Sequence, residues 1–425
     1  MLKSDHKFDT LQVHAGSRPD PSTGARQVPI YQNTAYVFKS ILHAEALFDL
    51  KELGHIYSRL SNPTVSVLQE RLAALEGGIG AICSSSGHSA QILALFPLMQ
   101  PGDNLIASTR LYGGTVQQFS NTIKKFGWQA KFVDVDNPSQ IHNLADSKTK
   151  AIFCESISNP GGHVTDLPRL ANIAKDLSIP LIVDNTAATP YLCNPFKYGA
   201  DLIVHSTTKY ISGNGTSLGG AVIDSGNFNW SQHDKFPSLS EPEPGYHGLK
   251  FHDTFGPYAF IIYSIAVSLR DLGMTMAPQN AFHTLLGLET LSLRMKKHVT
   301  NAKKVAQWLD SHPDVGEVTY AGLKTSKYAQ LVKKIYPRGA GALFTIALNG
   351  GYDACLKLVN NVNLFSHVAN LGDTRSLIIH PASTVHRQLT EEQQIEAGLA
   401  PNVVRLSIGI EDPTDLIKDL KQALE

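Results

Sequence analysis

The fold is decided by residues 180–220, which read PLIVDNTAATPYLCNPFKYGADLIVHSTTKYISGNGTSLGG. Two short apolar runs, Leu181–Val183 and Leu202–Val204, lie within this stretch, and each is followed by polar residues. Short β-branched runs bounded by Gly and Pro predict buried strands of a parallel sheet. Because ligands lie beyond the carboxyl ends of the strands in open α/β sheets, we expect a ligand site where these two runs end.

The polar residues after the two runs form a set with a specific chemistry. Asp184 ends the first run, and Ser206, Thr208 and Lys209 follow the second, before a glycine-rich loop. The set suits pyridoxal phosphate: a lysine binds the aldehyde as a Schiff base, a carboxylate keeps the pyridine nitrogen protonated, and hydroxyl and N–H groups hold the phosphate. Taken singly, a lysine is usually a solvated surface residue and an aspartate after a strand is often a helix cap. The prediction therefore depends on the combination.

This stretch resembles the Cys/Met-metabolism family of pyridoxal-phosphate enzymes, and within that family it is most similar to the O-acetylhomoserine sulfhydrylase branch. The resemblance implies fold type I, the aspartate-aminotransferase-like α/β fold. In that fold a large domain with a mostly parallel, doubly wound sheet is followed by a smaller α+β C-terminal domain. Independently, the alternation of strand-like and helix-like segments through residue 224 predicts a doubly wound sheet.

We expect an N-terminal arm over residues 1–62, a cofactor-binding large domain over 63–285 and a small domain over 286–425. The second boundary lies near the start of an amphipathic run at 281–312, which is typical of a helix that bridges two domains. Residues 225–257 lack periodicity, which predicts a functional or covering loop. This segment resembles an insertion of the sulfhydrylase branch.

Two further cofactor contacts come from other parts of the chain. The turn before the helix at residue 88 offers the N–H groups of Gly87 and His88 to an anion, and we assign only the backbone of His88. In the family, the tyrosine and arginine of Y-S-R-x-x-N-P-T reach the phosphate of the neighbouring subunit. The resemblance therefore implies Tyr57 and Arg59 as cofactor contacts, with Tyr57 also near the substrate. The alternative for both is an ordinary surface loop.

The resemblance implies two contacts to the cofactor ring. Tyr112 corresponds to a tyrosine that stacks on the pyridine ring and takes part in proton transfer, so we count it with Lys209 as catalytic. Asn159, in a segment like the family's E-x-x-x-N-P, corresponds to an asparagine that donates to the phenolic oxygen. A tyrosine in the protein core would need no such role.

Two residues near the C-terminus are candidates for binding the substrate. Arg405 lies inside an apolar strand-like segment, where an unpaired charge is costly, and its guanidinium matches the α-carboxylate of an amino acid. The alternative is an internal salt bridge. Ser383, in a segment like the family's H-P-A-S, corresponds to a serine beside the substrate.

The resemblance implies γ-replacement on O-acetyl-L-homoserine by sulfide, or by a small thiol such as methanethiol, to give homocysteine or methionine plus acetate. Methionine γ-lyases carry a cysteine where this chain has Gly114, and cystathionine enzymes carry a glutamate where it has Arg375. Three alternatives stay open on the same scaffold: cystathionine γ-synthase, O-succinylhomoserine sulfhydrylase, and methionine or cystathionine γ-lyase. A protein that binds the cofactor only to regulate or sense sulfur metabolites is a fourth.

Composition narrows the classes of partner. The 425 residues suggest two or three domains, and 37 basic and 37 acidic residues give a formal net charge of zero, which argues against nucleic acid as a partner. We expect a cytoplasmic protein without a membrane segment or a metal, because the apolar patches are short and the four cysteines lack ligand spacing. The resemblance implies a homo-oligomer with a dimer as its smallest active unit and a tetramer as its expected form.

Overall fold

Seven strands form the larger of two sheets in the computed structural model, which describes residues 6–425. The strands are β1 (Gly80–Ser84), β2 (Asn104–Ser108), β3 (Gln129–Val133), β4 (Thr149–Glu155), β5 (Leu181–Asp184), β6 (Leu202–Ser206) and β7 (Gly220–Asp224). Their order is β1-β7-β6-β5-β4-β2-β3, and only β7 runs antiparallel to its neighbours. The sheet is therefore mostly parallel, as the sequence predicted.

The register of this large sheet brings polar residues together at one edge. Glu155 at the end of β4 pairs with Asp184 at the end of β5, and Asp184 pairs with Val204 in β6. The strands are almost wholly buried, as expected for a sheet covered by helices on both faces. Because β6 extends to Ser206, the loop with Lys209 begins at this same edge.

Helices precede, connect and follow these strands. The α-helices up to the end of the large sheet are α1 (Phe8–His14), α2 (Ile41–Phe48), α3 (Pro63–Glu76), α4 (Gly87–Leu95), α5 (Gly113–Gln117), α6 (Gln140–Leu144), α7 (Leu167–Asp176) and α8 (Thr189–Leu192). A π-helical turn (Gln118–Thr122) and a 3₁₀ turn (Ile123–Phe126) continue α5, and another 3₁₀ turn covers Pro195–Tyr198. The N-terminal segment at 1–62, which we expected to form an arm, contains the helices α1 and α2; its residues 1–5 lie outside the described part.

The smaller sheet has five strands in the order β10-β11-β12-β9-β8. They are β8 (Val315–Thr319), β9 (Leu343–Leu348), β10 (Ser366–His367), β11 (Leu377–Ile379) and β12 (Val403–Ser407). All neighbours are antiparallel except β10 and β11. In β12, Arg405 pairs with Ile379 on one side and Thr345 on the other, so this arginine lies in the interior of the small sheet.

The remaining helices lie between and around the two sheets. The α-helices are α9 (Pro237–Ser240), α10 (Phe251–Phe255), α11 (Ala259–Tyr263), α12 (Arg270–Leu272), α13 (Pro278–Leu288), α14 (Leu291–Asp310), α15 (Ala329–Ile335), α16 (Gly351–Asn361), α17 (Glu391–Glu396) and α18 (Pro413–Leu424). A π-helical segment (Ser264–Leu269) joins α11 to α12, and 3₁₀ turns cover Gln232–Asp234, Pro244–Tyr246 and Gly256–Tyr258. Within residues 6–425, no helix has the length and apolar character needed to cross a bilayer.

The amphipathic run at residues 281–312 forms two helices, α13 and α14, where the sequence suggested one. In a continuous helix the carbonyl of Gly287 would accept the N–H of Leu291. Instead it accepts the backbone N–H and the hydroxyl of Thr290, each at 3.2 Å, and Nη2 of Arg294 at 2.7 Å. An i→i+3 turn with two side-chain donors thus replaces the α-helical bond, and the helix is interrupted at this point.

Arg294 also holds the loop that follows β6. Its Nη1 donates to the carbonyl of Tyr210 at 2.7 Å, and its Nη2 donates to that of Ile211 at 3.2 Å. Gly287 packs against the same loop, because a Cβ at this position would lie 2.0 Å from the carbonyl oxygen of Ser212. The junction of α13 and α14 is thus fixed to the backbone just after Lys209.

The segment at 225–257 packs on the large sheet and does not line the cavity described below. Trp230, Phe236 and Phe251 are fully buried, and Trp230 stacks on Phe260 with ring centroids 5.3 Å apart. An aromatic cluster of this kind supplies large apolar area and specific ring contacts. The segment therefore contributes to the hydrophobic core and not to the lining of the candidate site.

The aromatic cluster predicts a large loss of stability on truncation of Trp230. Replacing a buried Trp by Ala removes its burial and leaves a cavity, so Trp230→Ala should lower the free energy of unfolding by about 3–5 kcal/mol. Urea unfolding followed by far-UV circular dichroism measures this change. Glu241→Ala, at an exposed position of the same segment, is the control and should change stability little. An unchanged midpoint for Trp230→Ala would show that the cluster does not stabilise the fold.

Candidate active site

A cavity of about 210 Å³ lies at the carboxyl edge of the large sheet. Glu155, Asp184 and Ser206 line it from the ends of β4, β5 and β6, and Asn370 and Arg405 line it from the side of the small sheet. Of the residues proposed from the sequence, the cavity brings together nine: Gly87, His88, Tyr112, Asn159, Asp184, Ser206, Thr208, Lys209 and Arg405. The two sheets therefore share one site.

Lys209 lies in the loop after β6, with its amine directed at a side chain from the other half of the molecule. Its Nζ donates to Oδ1 of Asn370 at 2.6 Å. Burial, and secondarily the charge of Arg405, lower the pKa of Lys209 to about 8. A lysine with this pKa carries a larger fraction of neutral, nucleophilic amine at neutral pH than an ordinary lysine does, which favours Schiff-base chemistry.

Asp184 ends β5 and is almost fully buried, with 8 % of its surface exposed. Its Oδ1 accepts the backbone N–H of Thr186 at 3.0 Å, and its Oδ2 lies 3.5 Å from Nε2 of Gln91. These donors are neutral groups. A carboxylate held in this way can pair with a protonated ring nitrogen.

The N-terminus of α4 forms a cradle for an anion. Ser86 and Ser89 make a reciprocal capping box there, which leaves Gly87 and His88 as the first two helical residues, whose N–H groups have no intrahelical acceptor. Gly87 lies so close to β6 that a Cβ would stand 2.7 Å from Cβ of Ser206. The cradle fits a phosphate because backbone N–H groups, a hydroxyl and the positive end of a helix converge.

Arg405 is 3 % exposed, and both of its hydrogen bonds go to neutral oxygens. Nη1 donates to Oδ1 of Asn159 at 2.9 Å and Nη2 to the carbonyl of Asn370 at 2.8 Å, while the buried Nε has no partner among the described residues. Burial lowers the pKa of Arg405 to about 10. Arg405 forms no salt bridge with any described residue, so the alternative of an internal salt bridge does not apply. The buried guanidinium is therefore available to an anion in the cavity.

Tyr112 presents its ring at the cavity, with 37 % of the residue exposed, and stacks on His88 at 5.8 Å between ring centroids. Burial lowers the pKa of His88, and its Nε2 has no partner among the described residues. A Cβ on Gly114 would lie 2.5 Å from Cε1 of Tyr112 and 2.9 Å from Cε1 of His88. A cysteine at position 114 would therefore displace one of the two rings.

Pyridoxal phosphate fits this set of residues. A lysine with a lowered pKa, a carboxylate at a strand end, an exposed tyrosine ring and a helix-terminal cradle meet in one cavity. The unpartnered Nε of Arg405 adds a cation for the carboxylate of an amino acid.

Three proposed residues do not line the cavity, although each lies elsewhere in the described chain. Tyr57 is 41 % exposed, and the guanidinium of Arg59 lies 5.4 Å from its ring centroid. Ser383 shares a hydrogen bond of 2.8 Å with Nδ1 of His380. Arg375, which stands where cystathionine enzymes carry a glutamate, has 71 % of its side chain exposed, and its Nη1 lies 3.5 Å from Oδ1 of Asp373. It has no direct contact with the cavity.

Glu155, Asn370 and Gln91 line the cavity but were not among the predicted residues. Glu155 is the first residue of the segment that resembles E-x-x-x-N-P, so its place in that segment could have indicated it as a site residue. Gln91 is an internal residue of an apolar helix, and Asn370 lies in an irregular segment two residues before Gly372. The sequence around these two positions contains no pattern that predicts the contact of Gln91 with Asp184 or that of Asn370 with Lys209, because the partners lie far apart in the chain.

Comparison with known proteins agrees with the geometry. The family model for Cys/Met metabolism PLP-dependent enzymes matches residues 9–425. The O-acetyl-L-homoserine sulfhydrylase of Leptospira meyeri is 46 % identical over 100 % of this chain and 98 % of its own length. O-acetyl-L-homoserine sulfhydrylase 1 of Thermus thermophilus is 48 % identical over 98 % of this chain and 100 % of its own length.

Solved structures show the same fold. A crystal structure from Campylobacter jejuni that contains N'-pyridoxyl-lysine-5'-monophosphate has a TM-score of 0.96 and 45 % identity, and covers 99 % of this chain and 100 % of its own. The cystathionine gamma synthase of Xanthomonas oryzae has a TM-score of 0.84 and 34 % identity, over 99 % and 98 % of the two chains. The fold is therefore that of the fold type I enzymes, and pyridoxal phosphate is the cofactor. The chain belongs to the Cys/Met-metabolism family of PLP-dependent enzymes, as the sequence predicted.

Proposed function

We propose that the protein catalyses γ-replacement on O-acetyl-L-homoserine with sulfide, or with a small thiol such as methanethiol, to give homocysteine or methionine and acetate. The observation that carries the proposal is Arg405, a buried cation without an acidic partner among the described residues, placed in the same cavity as Lys209. It suits the α-carboxylate of an amino acid whose amine reacts at the lysine. The sulfhydrylases at 46 % and 48 % identity support the choice of ester and nucleophile.

The residues have distinct roles in this proposal. When bound, pyridoxal phosphate supplies an electron sink that stabilises negative charge on the carbon next to the substrate amine. Lys209 holds the cofactor and, once free, moves protons at the substrate's Cα and Cβ atoms, which allows acetate to leave from Cγ. Asp184 keeps the proton on the ring nitrogen, and Arg405 orients the substrate through its carboxylate.

The remaining cofactor contacts have the following roles. Tyr112 stacks on the ring and assists the proton transfers, and Asn159 donates to the phenolic oxygen. The hydroxyls of Ser206 and Thr208 and the N–H groups of Gly87 and His88 bind the phosphate. The convergence of these residues on one cavity supports these roles.

A second copy of the chain would complete the site. We infer that Tyr57 and Arg59 serve the neighbouring subunit, which their exposure and their absence from the lining of their own chain's cavity support. We propose a dimer as the smallest active unit, with a tetramer as the expected form, and a cytoplasmic location. We also propose that Ser383 lies near the substrate, because Val385, two residues further along the chain, lines the cavity.

The chain also divides naturally in this proposal. An arm over 1–62 would carry the contacts to the neighbouring subunit, 63–285 would form the large domain, and 286–425 the small one. The positions of the strands support this division. Those of the large sheet lie within residues 80–224, and those of the small sheet lie within residues 315–407.

Cystathionine γ-synthase is the second candidate, because the Xanthomonas oryzae enzyme shares the fold at 34 % identity. A γ-lyase is disfavoured by Gly114, whose replacement by cysteine would disturb Tyr112 and His88. The exposed Arg375 adds no contact that would choose between nucleophiles.

A product assay on cofactor-loaded protein tests the proposal. O-acetylhomoserine and O-succinylhomoserine would each be offered with sulfide, methanethiol or cysteine, and methionine and cystathionine would be offered alone. We expect homocysteine from the acetyl ester and sulfide, and none from a Lys209→Ala control. Cystathionine from cysteine, or α-ketobutyrate from methionine, as the dominant product would contradict the proposal.

The lowered pKa of Lys209 predicts how cofactor attachment depends on pH. Below about pH 8 the amine is mostly protonated and cannot attack an aldehyde, so the rate of pyridoxal phosphate attachment to apoprotein should rise about fivefold from about pH 7 to 8 and then level off. In Arg405→Met the positive neighbour is absent, and the midpoint should move to higher pH. Stopped-flow absorbance measures both rates.

The matched control for this experiment is Arg338→Met. Arg338 lies over the ring of Tyr191 and lines a different cavity, so its removal should leave the midpoint in place. Equal midpoints for wild type and Arg405→Met would show that Arg405 does not act on Lys209.

The close approach at Gly114 predicts the effect of the cysteine found in γ-lyases. Gly114→Cys forces a Cβ against Tyr112 and His88, and loss of about 1.4 kcal/mol of Tyr112 stacking on the bound cofactor would correspond to roughly a tenfold loss of homocysteine formation. Removing the His88 ring as well, in Gly114→Cys/His88→Ala, should restore part of that loss. His88→Ala alone is the control. Equal rates for Gly114→Cys and wild type would refute this packing argument.

A further inference from the structure

Glu155 is a buried carboxylate in the cavity to which no role has been given. It is the last residue of β4, it is 6 % exposed, and it stands in register with Asp184 on the neighbouring strand. Two adjacent buried carboxylates are costly unless each is well provided with donors. The contacts of Glu155 show what its placement achieves.

Each oxygen of Glu155 accepts one backbone N–H. Oε1 accepts that of Tyr112 and Oε2 that of Asn159, both at 2.7 Å. Tyr112 is the N-cap residue of α5, and no side chain caps that helix. Asn159 lies in the loop after β4, and its Oδ1 accepts a hydrogen bond from Nη1 of Arg405. Glu155 is therefore linked to Arg405 through Asn159. One side chain therefore joins the two loops that carry the ring-facing residues.

A glutamine, which has nearly the same shape, could not make both bonds. A glutamine has one acceptor oxygen, and its NH₂ group would face an N–H as a second donor. Burial, and then the charge of Asp184, raise the pKa of Glu155, whereas the two N–H groups act in the opposite direction. The position is thus occupied by an acid despite an unfavourable environment.

We propose that Glu155 is a positioning residue that fixes Tyr112 and Asn159 relative to each other and thereby sets the orientation of the bound cofactor ring. The inference rests on the proposed contacts of these two residues with the ring, and it does not depend on which ester or thiol reacts. Glu155 itself touches neither ring nor substrate in this proposal. It acts through the two backbone groups that it holds.

Glu155→Gln is the direct test, and the chain offers a matched control. Asp419 is 5 % exposed, accepts the N–H groups of Asn363 and Leu364 at 2.8 Å each, and does not line the cavity. Asp419→Asn therefore removes a buried carboxylate of the same kind elsewhere. The readouts are visible circular dichroism of the bound cofactor, its affinity for apoprotein, and kcat with KM.

For Glu155→Gln we expect a changed visible circular dichroism band, about tenfold weaker cofactor binding and a fall in kcat that exceeds the change in KM. Asp419→Asn should keep the band and the affinity, whatever its thermal midpoint. A band and an affinity like those of the wild type in folded Glu155→Gln would overturn the proposal. The two cofactor readouts need no substrate, so they stand even if the proposed reaction is wrong.

A double-mutant cycle decides whether Glu155 acts through Tyr112. In a Tyr112→Ala background, Glu155→Gln should weaken cofactor binding by less than about threefold, because the ring it positions is gone. Additive losses would overturn the proposal. If Glu155→Gln does not fold, Glu155→Asp takes its place in both experiments. Its shorter side chain keeps the charge but cannot reach both N–H groups, so the same changes are expected and their absence has the same meaning.

Discussion

The site depends on a single buried cation, Arg405, held between two parts of the chain. One of its nitrogens donates to the side chain of Asn159, which follows a strand of the large sheet, and another donates to the backbone of Asn370, beside the small sheet. Asn370 in turn accepts the amine of Lys209. Because neither bond neutralises the charge, the guanidinium both ties the two halves together and attracts an anion to the cavity.

From Arg405 a chain of hydrogen bonds extends in both directions. On one side it passes through Asn370 to Lys209, and on the other through Asn159 and Glu155 to Tyr112. Along it, the ionisable side chains of Glu155, Arg405 and Lys209 alternate with the neutral residues Asn159 and Asn370. Such a network holds its members in fixed positions because every displacement would leave a buried polar group unpaired.

Much of this could be predicted from the sequence, and the reason is geometric. The apolar runs that predicted strands became β5 and β6, and parallel strands necessarily place the residues after them at one edge. Asn370 could not be found in this way, because its contact with Lys209 exists only once the small sheet is placed. The break after α13 was missed because hydrophobic periodicity does not record which polar groups of Thr290 and Arg294 donate to the carbonyl of Gly287.

The junction between α13 and α14 couples distant parts of the molecule mechanically. Arg294 donates to one carbonyl in α13 and to two carbonyls in the loop that follows Lys209. Gly287 in α13 packs directly against the same loop. The first turn of α14 and the lysine loop are therefore held directly against each other. A side chain outside the cavity thus fixes the backbone that carries the reactive lysine.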